Sequence, residues 1–283
     1  MIYKTRDDWL SAPRKRVSLI GMSGLGKTYL SNILRDTDQW FHYSVDYRIG
    51  TRYMGEHIVD NFKREAMQVP YLRELLMSDS IYIGSNITFN NLAPLSAYLG
   101  KPGSTAKGGI PFSEYMRRQD LHRAAEIAAS IDAVAFMDRA KEIYGYDHFV
   151  CDTSGSVCEV VDPTDPEDPV LTALSQNSLI IWLRGSDSHI DTLVKRFDAA
   201  PKPMYARPAA MTERWHRYLS ETKLSEDQVD PDAFIRWSYR QILDDRLPLY
   251  QGIAENWGIT IDAARLSEIE EAKDFCALVA EHI

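Results

Sequence analysis

Short apolar runs alternate with longer segments of helical period along most of this chain, and each run reads as a buried strand rather than a half-exposed one. The first run, Arg16-Val-Ser-Leu-Ile20, is rich in β-branched and aliphatic residues and stops at Gly21. A helix is predicted behind it, through Tyr29-Leu-Ser-Asn-Ile-Leu-Arg35. Trp40-Phe-His-Tyr-Ser-Val-Asp46 reads as a second strand ending at a carboxylate, with Tyr47-Arg48-Ile-Gly-Thr-Arg52 as a turn carrying two cations. Residues 56–78 have helical spacing at Ile58, Phe62, Met67, Leu72 and Leu75, divided at Pro70. Composition makes Gly100–Gly109 a flexible cationic loop, and residues 113–144 read as two helices. Strands return at His148–Asp152, Ser178–Leu183 and Gly258–Asp262. Helices are expected at 186–199, opened by a Ser/Asp cap, and at 211–222, 231–245 and 266–281. Continuously apolar strands alternating with helices mean an α/β fold: a mainly parallel five-stranded sheet with helices on both faces, in three layers, α/β/α.

The chemistry gathers where the first strand breaks. Gly21-Met22-Ser23-Gly24-Leu25-Gly26-Lys27-Thr28 matches G-x-x-x-x-G-K-[ST], set between a predicted strand and a predicted helix as that pattern requires. Such a loop turns its N–H groups into a phosphate-sized hollow, and the following helix, from Tyr29 on, adds its N-terminal dipole. Lys27 is placed to reach phosphate oxygens and the Thr28 hydroxyl to ligate Mg²⁺, so ATP and Mg²⁺ are the expected cofactors. In a parallel sheet, ligands bind beyond the carboxyl ends of the strands. That rule makes Asp152 the candidate metal-side acid and Asp46 the candidate to orient, or take a proton from, an acceptor hydroxyl. Arg48 and Arg52 are candidates for an anionic group on that acceptor. Arg196 and Arg207, ahead of Lys195 and Lys202, are candidates to close over the phosphates.

Charge narrows the partners. Asp and Glu total 41 against 32 Lys and Arg, a formal net charge of -9, which argues against a general nucleic-acid binder. No run is long enough to span a membrane, and the first residues carry no apolar core of signal-peptide length. The three cysteines, Cys151, Cys158 and Cys276, have no C-x-x-C spacing and read as small core residues of a reducing, cytoplasmic compartment. The acidic segment Val161–Pro169, punctuated by prolines, reads as a solvated connection rather than a metal site. A homo-oligomer is left open.

Four stretches together resemble the shikimate kinase and gluconate kinase group of small P-loop kinases. They are Ser18–Thr28, Phe41–Asp46, Ile180–Leu183 with Arg196 and Arg207-Pro208 after it, and Arg246-Leu-Pro-Leu-Tyr250 before the last strand. The resemblance implies a P-loop NTPase fold over 1–283 as one domain, with a helical substrate or lid insertion at about 80–145 and a lid region at about 186–222. It implies transfer of a phosphoryl group from ATP to a hydroxyl of a small polar or anionic metabolite, with Asp46, Arg48 or Arg52 on the substrate. Asp152-Thr-Ser-Gly155-Ser stands where that family has a glycine-rich turn for substrate hydroxyls, which puts Gly155 among the substrate-binding candidates. A nucleoside or nucleotide kinase shares this layout, with Tyr43, Tyr47 or Tyr53 available to stack a base. A P-loop ATPase or ATP-dependent switch engaging a protein partner through its long helical segments is the reading from another class.

Overall fold

The computed structural model describes residues 1–283. In chain order the elements are α1 (Arg6–Ser11), β1 (Arg16–Ile20), α2 (Lys27–Arg35), β2 (Trp40–Ser44), α3 (Val45–Arg48), α4 (Gly55–Ala66), α5 (Pro70–Met77), α6 (Ala93–Leu99) and α7 (Phe112–Glu142). They continue as β3 (His148–Asp152), α8 (Pro169–Asn177), β4 (Leu179–Arg184), α9 (Asp187–Ala199), α10 (Pro208–Thr222), α11 (Pro231–Trp257), β5 (Gly258–Asp262) and α12 (Ala272–Ala280). The chain forms two compact units. One comprises Met1–Val45, Glu126–Pro201 and Ile235–Ile283, and the other Asp46–Ala125 and Lys202–Phe234. No helix is long and apolar enough to cross a membrane.

All five strands lie in the first unit, parallel, in the order β2-β3-β1-β4-β5. Residues of β1 to β4 are buried almost end to end, as strands covered on both faces must be, while the edge strand β5 is buried only at alternate positions. Alternate side chains point to opposite faces. On one face Tyr43 donates from its hydroxyl to the Ala129 carbonyl of α7 at 2.6 Å and packs on Phe136 at 5.1 Å. On the other, α2 lies over β2 and β3, with Leu30, Ser31 and Leu34 buried at helical spacing. Trp40, Phe275 and Trp9 close that layer, and the Trp9 indole donates to the Cys276 carbonyl at 2.8 Å. Cys151 and Cys158 are buried free thiols, and burial pushes Cys158 up to about 12, so both behave as apolar filling.

The second unit is helical. Its core is an aromatic cluster in which Trp215 stacks on Phe112 at 4.8 Å and meets Phe234 edge-on at 4.9 Å. Arg118 is buried, yet satisfied: it donates to Glu114, to the Tyr98 carbonyl and to Asn61 Oδ1, and lies over the Tyr98 ring.

Several elements differ from the sequence expectations, each for a local reason. β2 ends at Ser44, so Asp46 is not at a strand end; it occupies the first turn of α3, where a carboxylate complements the helix dipole. The expected turn at 47–52 is helical too and widens into a π turn over Ile49–Tyr53, closed by Met54 N–H on the Ile49 carbonyl at 2.8 Å. In place of two helices over 113–144 there is the single helix α7, ending at Glu142, which has no glycine or proline to divide it. Gly100–Gly109 is not a free loop. Gly103 N–H donates to the Ile110 carbonyl at 3.0 Å and Ser104 N–H to the Val229 carbonyl at 2.9 Å, while Lys101 pairs with Asp232. α11 runs through Pro248 to Trp257, because burial of Tyr250, Ile253 and Ala254 outweighs one missing backbone bond. α8 went unread: Asp168 caps it by accepting from Val170 and Leu171 N–H, and Pro169 opens it. The closing segment is split into a 3₁₀ stretch, Ala263–Glu268, and α12, whose capping box on Glu271 and Asp274 resets the chain.

At the start of β3, His148 Nδ1 accepts from the Lys15 N–H at 3.0 Å, which requires that nitrogen to be unprotonated. Burial pulls the His148 pKa below 6.5, the neighbouring Lys15 charge adds to the shift, and Asp147 opposes it. Between the folded and unfolded values the unfolded chain binds the extra proton, so this contribution is complete above about pH 6.5 and is lost as pH falls below it. Urea midpoints should therefore decline on acidification from about pH 7 to about pH 5.5, and His148→Asn should flatten that part of the curve.

Candidate functional site

The strand order creates a break in winding direction. The chain leaves β1 towards β2 on one side and leaves β3 towards β4 on the other. Adjacent strands whose connections diverge leave a crevice beyond their carboxyl ends. The G-x-x-x-x-G-K-T loop leaves β1 at that crevice, and Asp152 ends β3 beside it, with Leu19 and Asp152 in register.

The loop is shaped by what surrounds it. Gly21 has φ 144° and a Cβ there would come 2.8 Å from the Leu183 carbonyl oxygen of β4, so no other residue fits. Gly26, in the left-handed region at φ 93°, is the N-cap of α2, which begins at Lys27 as the motif requires. Met22 and Leu25 are buried and line an apolar recess with Trp182, Ile190, Leu193 and Leu247. Tyr29 is exposed on the first turn of α2.

Lys27 is buried and its ammonium donates to the Gly21 carbonyl at 2.7 Å and the Met22 carbonyl at 3.2 Å. Thr28 Oγ1 donates to Asp152 Oδ2 at 2.7 Å. The two expected metal-side groups, 124 positions apart in the chain, thus meet directly. His42 Nε2 lies 3.9 Å from the same Asp152 oxygen, buried on β2. Its signal in the sequence is a polar residue in the middle of an otherwise apolar strand, which a rule based on strand-end carboxylates does not single out. No three His, Cys, Asp or Glu side chains gather to form a metal centre of their own.

The turn after β3 touches the loop. Gly155 lies so close to Ser23 that a Cβ would overlap its hydroxyl and sit 2.9 Å from its amide nitrogen. Behind this contact is a buried polar network. Ser156 Oγ donates to Glu126 Oε2 at 2.9 Å, and Ser154 also donates to Glu126. The Gly155 carbonyl accepts from Arg246 Nη1 at 2.9 Å and from the Tyr250 hydroxyl at 3.0 Å, and Arg246 Nε meets Glu159 Oε1 at 2.5 Å. Burial opposes the Arg246 charge most, but Glu159, with Cys158 and Tyr250 beside it, offsets this and the guanidinium pKa is raised; burial first of all keeps the Tyr250 phenol protonated. The Arg246 and Tyr250 that open and close the R-x-P-L-Y run are therefore both engaged on one carbonyl.

The structure thus brings Lys27, Thr28, Asp152 and Gly155 together around the loop. Arg196 is exposed on the last turn of α9, one turn beyond Leu193, which packs at Gly24. The other candidates belong to the second unit. There Asp46 and Arg48 are half-buried, with Arg48 over the Tyr53 ring at 5.8 Å, Arg52 is exposed, and Arg207 is the N-cap of α10.

Fold and loop together define an α/β protein with a parallel five-stranded sheet and a glycine-containing loop between its first strand and the helix that follows. No protein-family model matches the chain, and no curated protein does. Among solved structures, a shikimate kinase from Bacteroides thetaiotaomicron is similar at 14% identity over 94% of this chain and 95% of that one, with a TM-score of 0.35.

The buried pair tests the network. Arg246→Met leaves Glu159 charged and uncompensated in the interior, and should cost about 3–5 kcal/mol in urea unfolding. The double variant Arg246→Met/Glu159→Leu should recover much of that loss.

Proposed function

We propose that the protein is an ATP- and Mg²⁺-dependent phosphotransferase acting on a hydroxyl of a small polar or anionic metabolite. The observation that supports this most is the direct Thr28–Asp152 contact beside a glycine loop with Lys27 at its base, at the topological switch point of a parallel sheet. The close approaches at Gly21 and Gly155 fit a loop that must present backbone rather than side chains to its ligand.

In this reading the loop from Gly21 to Gly26 and Lys27 hold the phosphates, and the N-terminus of α2 adds its dipole. Thr28 and Asp152 hold Mg²⁺; such an ion takes one or two protein oxygens and completes its shell with water and phosphate. When bound it would neutralise charge on the transferring group. Asp46 orients the acceptor hydroxyl and takes its proton, Arg48 or Arg52 binds the acceptor's anionic group, and Gly155 is the remaining substrate-binding candidate. Arg196 and Arg207 supply positive charge where it develops in the transition state.

The test is ADP release from Mg-ATP in the presence of pooled metabolites. One pool should stimulate release, and Lys27→Ala should lower that rate by about 10²-fold or more. Asp46→Ala should abolish acceptor-dependent release with Mg-ATP affinity unchanged. Slow hydrolysis that no acceptor stimulates and that Asp46→Ala leaves intact would overturn the phosphotransferase reading.

A further inference from the structure

At the carbonyl of Gly155, α11 meets the turn that bears on the glycine loop, and that carbonyl receives two buried donors at once. Arg246 and Tyr250 are four positions apart on α11, so both project from one helical face. The helix holds the same connection a second time further along. Asn256 Nδ2 and Trp257 Nε1 each donate to the Pro163 carbonyl at 3.0 Å, and Gly252 packs on the Pro163 ring. The segment after β3 is therefore fastened to α11 at both ends. Its Gly155 corner has no slack against Ser23, because even a methyl group would overlap that residue.

We infer that Arg246 and Tyr250 are positioning residues for the glycine loop: by gripping the Gly155 carbonyl they seat the β3 turn against Ser23 and so fix the loop's backbone in the shape that holds phosphates. The inference rests on the nucleotide reading of the loop. Glu159 supports it by holding the Arg246 guanidinium at Nε, which leaves Nη1 directed at the carbonyl. A side chain that shifts this turn shifts Ser23, and an anion-binding loop depends on several N–H groups pointing to one centre. Small displacements at Gly155 should thus weaken phosphate binding with no change at any residue touching the ligand.

Tyr250→Phe deletes one hydroxyl and keeps the ring, and Gly155→Ala adds one methyl. Two measurements on the full chain separate the possibilities: amide hydrogen exchange across 21–28, and calorimetric titration of folded protein with Mg-ATP and, separately, Mg-tripolyphosphate. Tyr250→Phe should speed exchange in the loop with the β1 and β4 amides unchanged. It should weaken both ligands alike by on the order of threefold to tenfold, the range expected for one buried hydrogen bond. Gly155→Ala should weaken them further. Folded variants with unchanged loop exchange and unchanged affinities would overturn the positioning role. A wild-type chain that binds neither ligand would overturn the nucleotide reading, whatever the exchange shows.

Discussion

Lack of room around one short backbone segment governs this molecule. The loop between β1 and α2 is hemmed by the Leu183 carbonyl, by Gly155, by Leu193 and by Leu266, each close enough to contact or overlap an added Cβ on one partner. Those four neighbours come from β4, the turn after β3, α9 and the 3₁₀ stretch after β5. The loop's shape is therefore a property of the whole sheet and its connections rather than of its own sequence. Interiors at crystal-like density transmit such constraints well, because a displaced atom has nowhere to relax.

Polar groups carry the next layer of that constraint. Glu126, Ser154, Ser156, Arg246, Glu159 and Tyr250 form a buried network immediately behind the loop, where an apolar packing would be simpler and no less stable. What hydrogen bonds add is direction. A carbonyl gripped by two donors from one helix cannot rotate away, while a leucine in the same space would hold volume without holding orientation. Thr28 and Asp152 obey the same logic across α2 and β3.

Much of this was legible in the residues. Continuous apolar runs identified the five strands, and the G-x-x-x-x-G-K-T pattern located the loop and, within two residues, the start of α2. Asp152 was readable as the acid that closes an apolar strand, and it lies against Thr28 as that reading expects. What escaped was set by contacts distant in sequence. Gly100–Gly109 looks flexible until the backbone around Val229 supplies its partners. Asp46 looks like a strand terminus until its place in a helical first turn is seen. The R-x-P-L-Y run was visible as a pattern, yet nothing in it tells that Arg246 and Tyr250 converge on the carbonyl of a glycine more than ninety positions earlier.

The same distinction explains why phosphate chemistry is easier to read than acceptor chemistry. Phosphates are held by backbone N–H groups, a lysine and a metal-side hydroxyl, a set so constrained that its spacing survives as a motif. Asp46, Arg48 and Arg52, proposed for the acceptor, lie instead in a helical unit whose core is built from Trp215, Phe112, Phe234 and the buried Arg118. A pocket formed from helices presents side chains, and its selectivity follows from which ones and at what separation, not from a fixed backbone shape. That unit is assembled from 46–125 and 202–234, so what surrounds Asp46, Arg48 and Arg52 is set by residues distant in sequence. In the proposed reading, acceptor identity is a tertiary property, whereas the phosphate grip is a local pattern that the sheet then holds in place.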